Sequence, residues 1–513
     1  MPRSPMMNCI PNCSPVRSLA LALPLLATVA GLRAQCTYSW PAAPFGTGAD
    51  SGVFAAALQA NGNLVVGGNF TTVGGTAASR IAQWNGTSWS ALGTGMNGDV
   101  HALRVLANGD LVAGGAFTTA GGTTVNCLAR WNGSTWSAFA SGVDALAPFG
   151  SSVQALAVLP NGDLVIGGSF AAVSGVPAAN IARWNGVAWS AFTTGTNGPV
   201  KALAVTPGGG MFVAGSFTTA GGVLCNSFAR WQTGAWAAAG TVLGLFGADC
   251  LAVMPNNDIV VGGSFLTAGG APANRIARWN GAAWSTFGTG MNAVVTALCA
   301  LPNGDLVAGG LFTNAGGGAA NLIARWNGSA WSAFGSGVDA APLELLQDLS
   351  GAVVVAGNFT TAGGNAANRL ARITSSCAPG AANLGSGCSG TGGLNALAMT
   401  SPALVGSTFR ATGTGMPPLG LVLAVTGFTS TSLPLNFVLP QALPGCTLYA
   451  NPDVIDVLVP AAGSAQWSLA LANSPALVGV VFFHQFVPFE LDLLFNITAV
   501  TASNALQVTV GTF

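Results

Sequence analysis

The chain has 513 residues, of which 50% are hydrophobic and only 6% charged, with Lys+Arg and Asp+Glu at 15 each and a net charge of zero. That balance offers no basic face to neutralise phosphates and argues against a nucleic-acid partner. With 73 glycines, the apolar content must fold through many tight turns.

The N-terminus reads as a secretory signal (1–35). Arg17 precedes the apolar run "SLALALPLLATVAGL", and cleavage would fall near Ala34 or Gln35. The run is short for a membrane span, which needs about 20 residues. "RAQC" places Arg33 and Gln35 where a lipoprotein signal wants small residues. The later stretch "LVGVVFFHQFVPFELDLLF" is interrupted by His484, Gln485, Pro488, Glu490 and Asp492. The expected product is therefore exported, without a membrane span, and either secreted or held at the cell surface or in the periplasm.

Residues 36–377 are repetitive. A Phe after a glycine-containing dipeptide recurs at 70, 117, 170, 217, 265, 312 and 359, spaced 47, 53, 47, 48, 47 and 47 residues. Fourteen residues later stands Trp84, Trp131, Trp184, Trp231, Trp279 or Trp326, with Ile373 in the seventh copy, and a second Trp follows five later in the first six. A period in the forties with strand-like content points to a propeller or a solenoid. Within one copy, "VQALAVLP", "DLVIGGSF", "NIARW" and "AWSAF" are separated by Asn-Gly turns or a loop, giving two hairpins. Four short antiparallel strands make one propeller blade. The seventh copy lacks its last strand, while "CTYSWPAAPFGTG" near the N-terminus matches it, with Trp40 in the Trp89 position. The expected fold is all-β: a seven-bladed β-propeller of four-stranded blades, the N-terminal strand closing the last blade and hiding both free edges.

The double glycine of "LVIGGSF" and the paired aromatics of "RWNGVAWSAF" resemble those of kelch-like propellers, and "PNGDLVIGGSF…IARWNG" is similar to repeats of large secreted bacterial propellers. The resemblance implies a fold and no particular activity.

Beyond the repeats, 378–393 reads as a Gly/Ser linker and 394–513 as a small β-sandwich, from alternating runs such as "LGLVLAVTGF", "AQWSLAL" and "ALQVTVGTF". The ending "SNALQVTVG" resembles a C-terminal module common to exported bacterial proteins.

Eight cysteines remain after the signal, and export makes pairing the default. Cys36 and Cys377 fall on neighbouring strands of the split blade and are expected to lock the ring. Cys225 and Cys250 are expected to tie blade four to blade five, and Cys388 to pair with Cys446. Cys127 and Cys299 are left over. No CxxC spacing supports a metal site, and no cofactor is implied.

Function is sought where the copies differ. Regular Trp residues are read as filling between blades, and the periodic Arg before each first Trp with the turn Asp as structural pairs. Length varies only in the loop entering each inner strand, where Phe149 and Phe246 lie in longer versions. The second position of the inner strand also varies: Phe54, His101, Gln154, Lys201, Asp249, Thr296, Leu343. These residues form the candidate binding rim, for a protein or polysaccharide ligand, on a chain expected to be monomeric. Catalysis has little support. The two His fall in different domains, and the two Tyr are likewise split, which removes the ligand set of a copper-radical oxidase. The leading expectation is an exported, non-enzymatic binding or surface-structural protein. The alternative is an extracellular glycan hydrolase or lyase using the rim carboxylates Asp99, Asp249, Asp339 and Asp348.

Overall fold

The computed structural model describes residues 37–144, 150–239, 247–302, 304–376, 380–401, 403, 405, 407–472 and 477–511. They form two units, the first a β-propeller and the second built mainly from residues 379–473 and 481–509.

The propeller unit contains seven four-stranded antiparallel sheets. In sheet one the strands run from inside outward as Val53–Leu58, Leu64–Gly68, Ile81–Trp84 and Trp89–Ala91. Sheets two to six repeat this order, with inner strands Val100–Val105, Ser152–Val158, Val200–Val205, Ala248–Val253 and Val295–Ala300. Sheet seven takes three strands from the end of the repeats, starting with Pro342–Gln347, and its fourth from Thr37–Ser39. That N-terminal strand pairs Thr37 with Ser376 and Ser39 with Thr374. Each inner strand lies beside those of the neighbouring sheets, and Val53–Leu58 lies beside Pro342–Gln347, so the series closes.

The sequence explains this geometry. Each second strand is apolar and buried up to its closing Gly, with half-buried Ser169 extending it in sheet three. A Cβ on Gly67 would sit 2.4 Å from Val100 Cγ1 of the next sheet, so the glycine permits close approach of neighbouring sheets. After it, Phe70, Phe117, Phe170, Phe265, Phe312 and Phe359 are essentially inaccessible and anchor the packing between sheets. The following loop is a small two-stranded ribbon in each sheet, such as Thr72–Val73 with Thr76–Ala77. The four-strand pattern did not anticipate this addition.

The Trp lattice is scaffold. Trp89, Trp136 and Trp236 are buried, and their indole N–H groups donate to the backbone oxygens of Phe45, Leu92 and Phe192. The last two bonds cross from one sheet to the preceding one. Trp40 plays the same part for the closing strand, donating to Phe334 O at 3.0 Å. The periodic charges pair within sheets: Arg130 with Asp110, Arg183 with Asp163, Arg278 with Asp258, Arg325 with Asp305 and Arg372 with Asp348. Each pair ties the third strand to the hairpin joining the first two.

The second unit is also β-rich. One sheet runs Gly380–Leu384, Ala505–Thr509, Val481–Leu491, Gly420–Gly427, Val454–Leu458, with Ile497–Val500 on Val481–Leu491. A second sheet holds Ala396–Ser401, Thr408–Thr414 and Ser464–Ala470. The stretch expected to be a linker is therefore part of the unit. Gly380–Leu384 adds a strand by pairing with Ala505–Thr509, and Cys388 bonds Cys446. The strand lies at the sheet edge with Ala382 and Asn383 exposed, so it carries no buried apolar face to set it apart from a linker.

The expected Cys225–Cys250 bridge is not formed; both thiols are free and buried. Cys225 packs with Val165, Ile181 and Phe192, toward sheet three, while Cys250 packs with Val295 and Leu298, toward sheet six. The two residues face opposite sides of adjacent sheets. Cys127 and Cys299 are likewise free and buried. Burial pushes the Cys127 and Cys225 thiols up to about 11 and Cys299 up to about 12, so all three stay protonated and unreactive at neutral pH. Cys36 and Cys377, with Phe149 and Phe246, lie outside the described residues.

Candidate functional site

The variable second position has a structural signature that no single repeat reveals. In all seven inner strands the pairing register with the second strand shifts around it: Val53/Ala55, Val100/Ala102, Val153/Ala155, Val200/Ala202, Ala248/Cys250, Val295/Ala297 and Pro342/Glu344. Phe54, His101, Gln154, Lys201, Asp249, Thr296 and Leu343 are each the extra residue of a β-bulge. A bulge leaves that residue unpaired in the ladder and re-aims its side chain. All seven are half-buried.

Two pairs of bulge residues meet across neighbouring sheets. The Phe54 and His101 rings stack with centroids 5.8 Å apart and planes 12° apart. Lys201 Nζ, from the only lysine in the chain, lies 2.6 Å from Asp249 Oδ1. The Thr296 hydroxyl donates to the backbone oxygen of Pro342 in the next sheet. Gln154 Nε2 donates to Ser152 Oγ at 3.2 Å within its own strand. Burial lowers the His101 pKa and the nearby Asp99 charge opposes it, the net shift being downward. The imidazole is therefore neutral at pH 7, offering one donor and one acceptor. The ring thus combines an aromatic pair, an ion pair, an amide and a hydroxyl, a set suited to recognition by hydrogen bonding and stacking.

The carboxylates do not assemble in the same way. Asp249 is committed to Lys201. Asp339 accepts from the backbone N–H groups of Thr360 and Thr361 and from the Thr360 hydroxyl, which holds its pKa below the ordinary value although burial opposes the shift. Asp50 does the same with Thr71 and Thr72, and Asn97, Asn197 and Asn292 repeat the motif with amide oxygens, so these positions fasten loops. Asp348 pairs with Arg372 at the hairpin that follows the inner strand, whereas Asp339 precedes that strand. The six-residue strand between them spans about 20 Å.

Glu344 is one of only two glutamates in the chain. It occupies the position held by Ala or Cys in the other inner strands, and burial pushes its carboxyl up to about 8. Comparing the copies column by column would have singled it out. Among the described residues no cluster of three or more His, Cys, Asp or Glu side chains is placed to hold a metal ion, and no helix is long and apolar enough to cross a membrane.

Two family models agree on the fold class. The model of the Rax2 C-terminal beta propeller domain matches residues 37–151. A beta-propeller domain of unknown function, DUF5122, matches 159–186, 255–280 and 350–376. These three segments carry the second and third strands of sheets three, five and seven, so the matches follow the repeat. No curated protein matches the chain. Among solved structures, the WD40 beta propeller domain of Doa1 is 14% identical over 66% of this chain and 97% of its own, with a TM-score of 0.43. The extracellular domain of the putative hybrid two component system BT4673 from B. thetaiotaomicron is 8% identical over 94% of this chain and 60% of its own, also with a TM-score of 0.43. A protein of unknown function from Dyadobacter fermentans is 14% identical over 67% of this chain and 99% of its own, at 0.30. The chain carries β-propeller repeats.

Proposed function

We propose that the chain is an exported, non-enzymatic binding or surface-structural protein. Its seven sheets are the blades of one closed, kelch-like propeller, the second unit is a β-sandwich, and the ligand or partner face is the rim carrying the bulge residues. One observation carries this reading: the inner strands place a different residue type at the bulge in each of seven copies, while the neighbouring first and fourth positions stay almost uniformly Val and Leu. A position that the ladder does not constrain, repeated around a ring, can be diversified without cost to the fold. The Cys388–Cys446 disulfide supports export, because such bonds persist in oxidising compartments.

Glycan hydrolysis or cleavage by a lyase needs carboxylates converging on one bond. Asp249, Asp339 and Asp348 are each occupied by another partner, which favours binding over turnover. The test is a screen of the secreted protein against polysaccharides and envelope proteins, read for both retention and product release. Retention without product supports binding. Released oligosaccharide supports the hydrolase or lyase.

A further inference from the structure

The chain contains eleven Asn-Gly dipeptides, and the ten whose asparagines are described fall in three settings. Five stand in the outer hairpins joining third and fourth strands, at Asn85, Asn132, Asn185, Asn280 and Asn327. Three stand in inner hairpins, at Asn61, Asn108 and Asn161, and two in loops entering inner strands, at Asn97 and Asn197. All ten asparagines are exposed, so access to solvent does not distinguish them. Their hydrogen bonds do.

In the inner hairpins the glycine N–H is engaged: Gly62, Gly109 and Gly162 donate to the backbone oxygens of Gln59, Leu106 and Leu159 at 2.9 Å. The Asn108 and Asn161 amides also donate to Asp110 and Asp163. In the loops, Asn97 and Asn197 Nδ2 donate to Thr118 and Thr218 Oγ1 at 2.7 Å. The outer hairpins differ on each count. Gly86, Gly133, Gly186, Gly281 and Gly328 share one geometry, with φ between 95° and 100°, and their N–H groups donate to no acceptor among the described residues. Each asparagine turns its side-chain oxygen onto the N–H groups two and three residues ahead. Asn85 Oδ1 accepts from Thr87 N at 2.9 Å and Ser88 N at 2.8 Å, and the other four turns repeat the pair. In three turns a hydroxyl adds a third bond, from Thr87 at 3.0 Å and from Ser134 and Ser329 at 2.9 Å. Val187 and Ala282 have no hydroxyl to give.

We infer that the five outer asparagines are sites of self-modification, converted to aspartate and isoaspartate through a cyclic imide. The glycine nitrogen gives its proton to solvent base and attacks Cγ of the preceding asparagine. The two atoms are four bonds apart, so the ring that closes has five members. Negative charge then develops on Oδ1, where two or three donors already stand at hydrogen-bond distance, as in an oxyanion hole. The Cγ–Nδ2 bond breaks and the nitrogen leaves as ammonia. Water opens the imide at either carbonyl, giving aspartate, or isoaspartate with one extra carbon in the main chain. An inner glycine must first break the hydrogen bond that holds its proton, at a cost the outer glycines escape. Each conversion adds one negative charge to a chain of zero net charge, at the outer edge of a blade. The reaction needs only water and goes beyond the function proposed above.

Timed incubation of the folded full chain at mildly alkaline pH, followed by peptide mapping with mass spectrometry and enzymatic methylation of isoaspartate, tests it. The five outer asparagines should convert at least tenfold faster than Asn61, Asn108, Asn161, Asn97 and Asn197. Asn85, Asn132 and Asn327 should run ahead of Asn185 and Asn280, which lack the third donor. Thr87→Val gives blade one the turn that blade three already has. It should slow Asn85 to the rate of Asn185 and leave the melting temperature unchanged. In denaturant the differences among all ten should vanish. Intact outer asparagines, inner sites converting as fast, or an Asn85 rate unaffected by Thr87→Val would each overturn the inference. The same order in the denatured chain would overturn it too, by showing that local sequence and not the folded turn sets the reactivity.

Discussion

The propeller and the C-terminal unit bury polar groups in different ways. In the propeller they recur: Asp110, Asp163, Asp258 and Asp305 are buried at one register and paired with an Arg on the third strand. In the C-terminal unit they occur once. His484, Gln485, Ser503 and Asn504 are buried, with His484 Nδ1 2.8 Å from Thr426 Oγ1, its ring stacked on Trp467, and Gln485 bonded to the backbone of Thr447, Tyr449 and Ser503. A repeated polar pair tolerates variation among copies, as Gly210 shows. A single-copy network offers no such redundancy.

The sharpest way to break that comparison is to cut the scaffold. Trp136→Ala removes a buried indole and its bond to Leu92 O, and should cost about 3–5 kcal/mol by chemical denaturation. A loss below about 1 kcal/mol would mean that the Trp lattice does not hold the blades.

Next come two opposite pH dependences. Burial pushes His484 down to about 3. The unfolded chain then binds a proton below about 6.5 that the folded unit refuses, so the C-terminal unit should lose stability as pH falls from 6.5 towards 3, with a slope of about 1.4 kcal/mol per pH unit. Glu344 is pushed up to about 8. Folded propeller retains a proton that the unfolded chain releases above about 4.5, so the propeller should lose stability as pH rises from 4.5 to 8. Glu344→Gln should flatten that limb and leave the acid limb of the C-terminal unit intact. Identical pH profiles for the two unfolding transitions would contradict both assignments.

A smaller effect separates copies of one pair. Asp305 is fully buried and its Arg325 side chain is only 14% exposed, whereas Arg183 is 40% exposed and 3.6 Å from Asp163. Asp305→Ala should cost about 3 kcal/mol and Asp163→Ala about 1 kcal/mol or less. Equal losses would show that depth does not set the strength of this pair.

Repetition also decides what could be read in advance. Strand order, the Trp40 closing strand and four of the five Arg–Asp pairs follow from aligning the copies, since each residue type returns at a fixed spacing; Asp348 stands off that spacing. The shared, variable position of Phe54, His101 and Lys201 also follows from the repeat, but the bulge was invisible, because those residues share no chemistry and only the ladder register shows that each is the extra residue. The expected Cys225–Cys250 pair follows from their places in neighbouring blades, which say nothing about which side of a strand a thiol faces. In the C-terminal unit, a Gly/Ser run concealed the strand Gly380–Leu384, and the buried His484 gave no periodic signal.

The bulge rim is the centre of the proposed function, and one measurement addresses it directly. Once a ligand is retained in the screen, its affinity is compared between the parent and the combined His101→Ala, Lys201→Ala, Asp249→Ala variant. Their half-buried side chains and the partly exposed 2.6 Å Lys201–Asp249 pair should add only about 1 kcal/mol or less to stability. The prediction is a melting temperature within a few degrees of the parent and at least a tenfold loss of affinity. Unchanged affinity, with binding abolished instead by substitutions on the surface of the C-terminal unit, would make the propeller a spacer and contradict the proposed site.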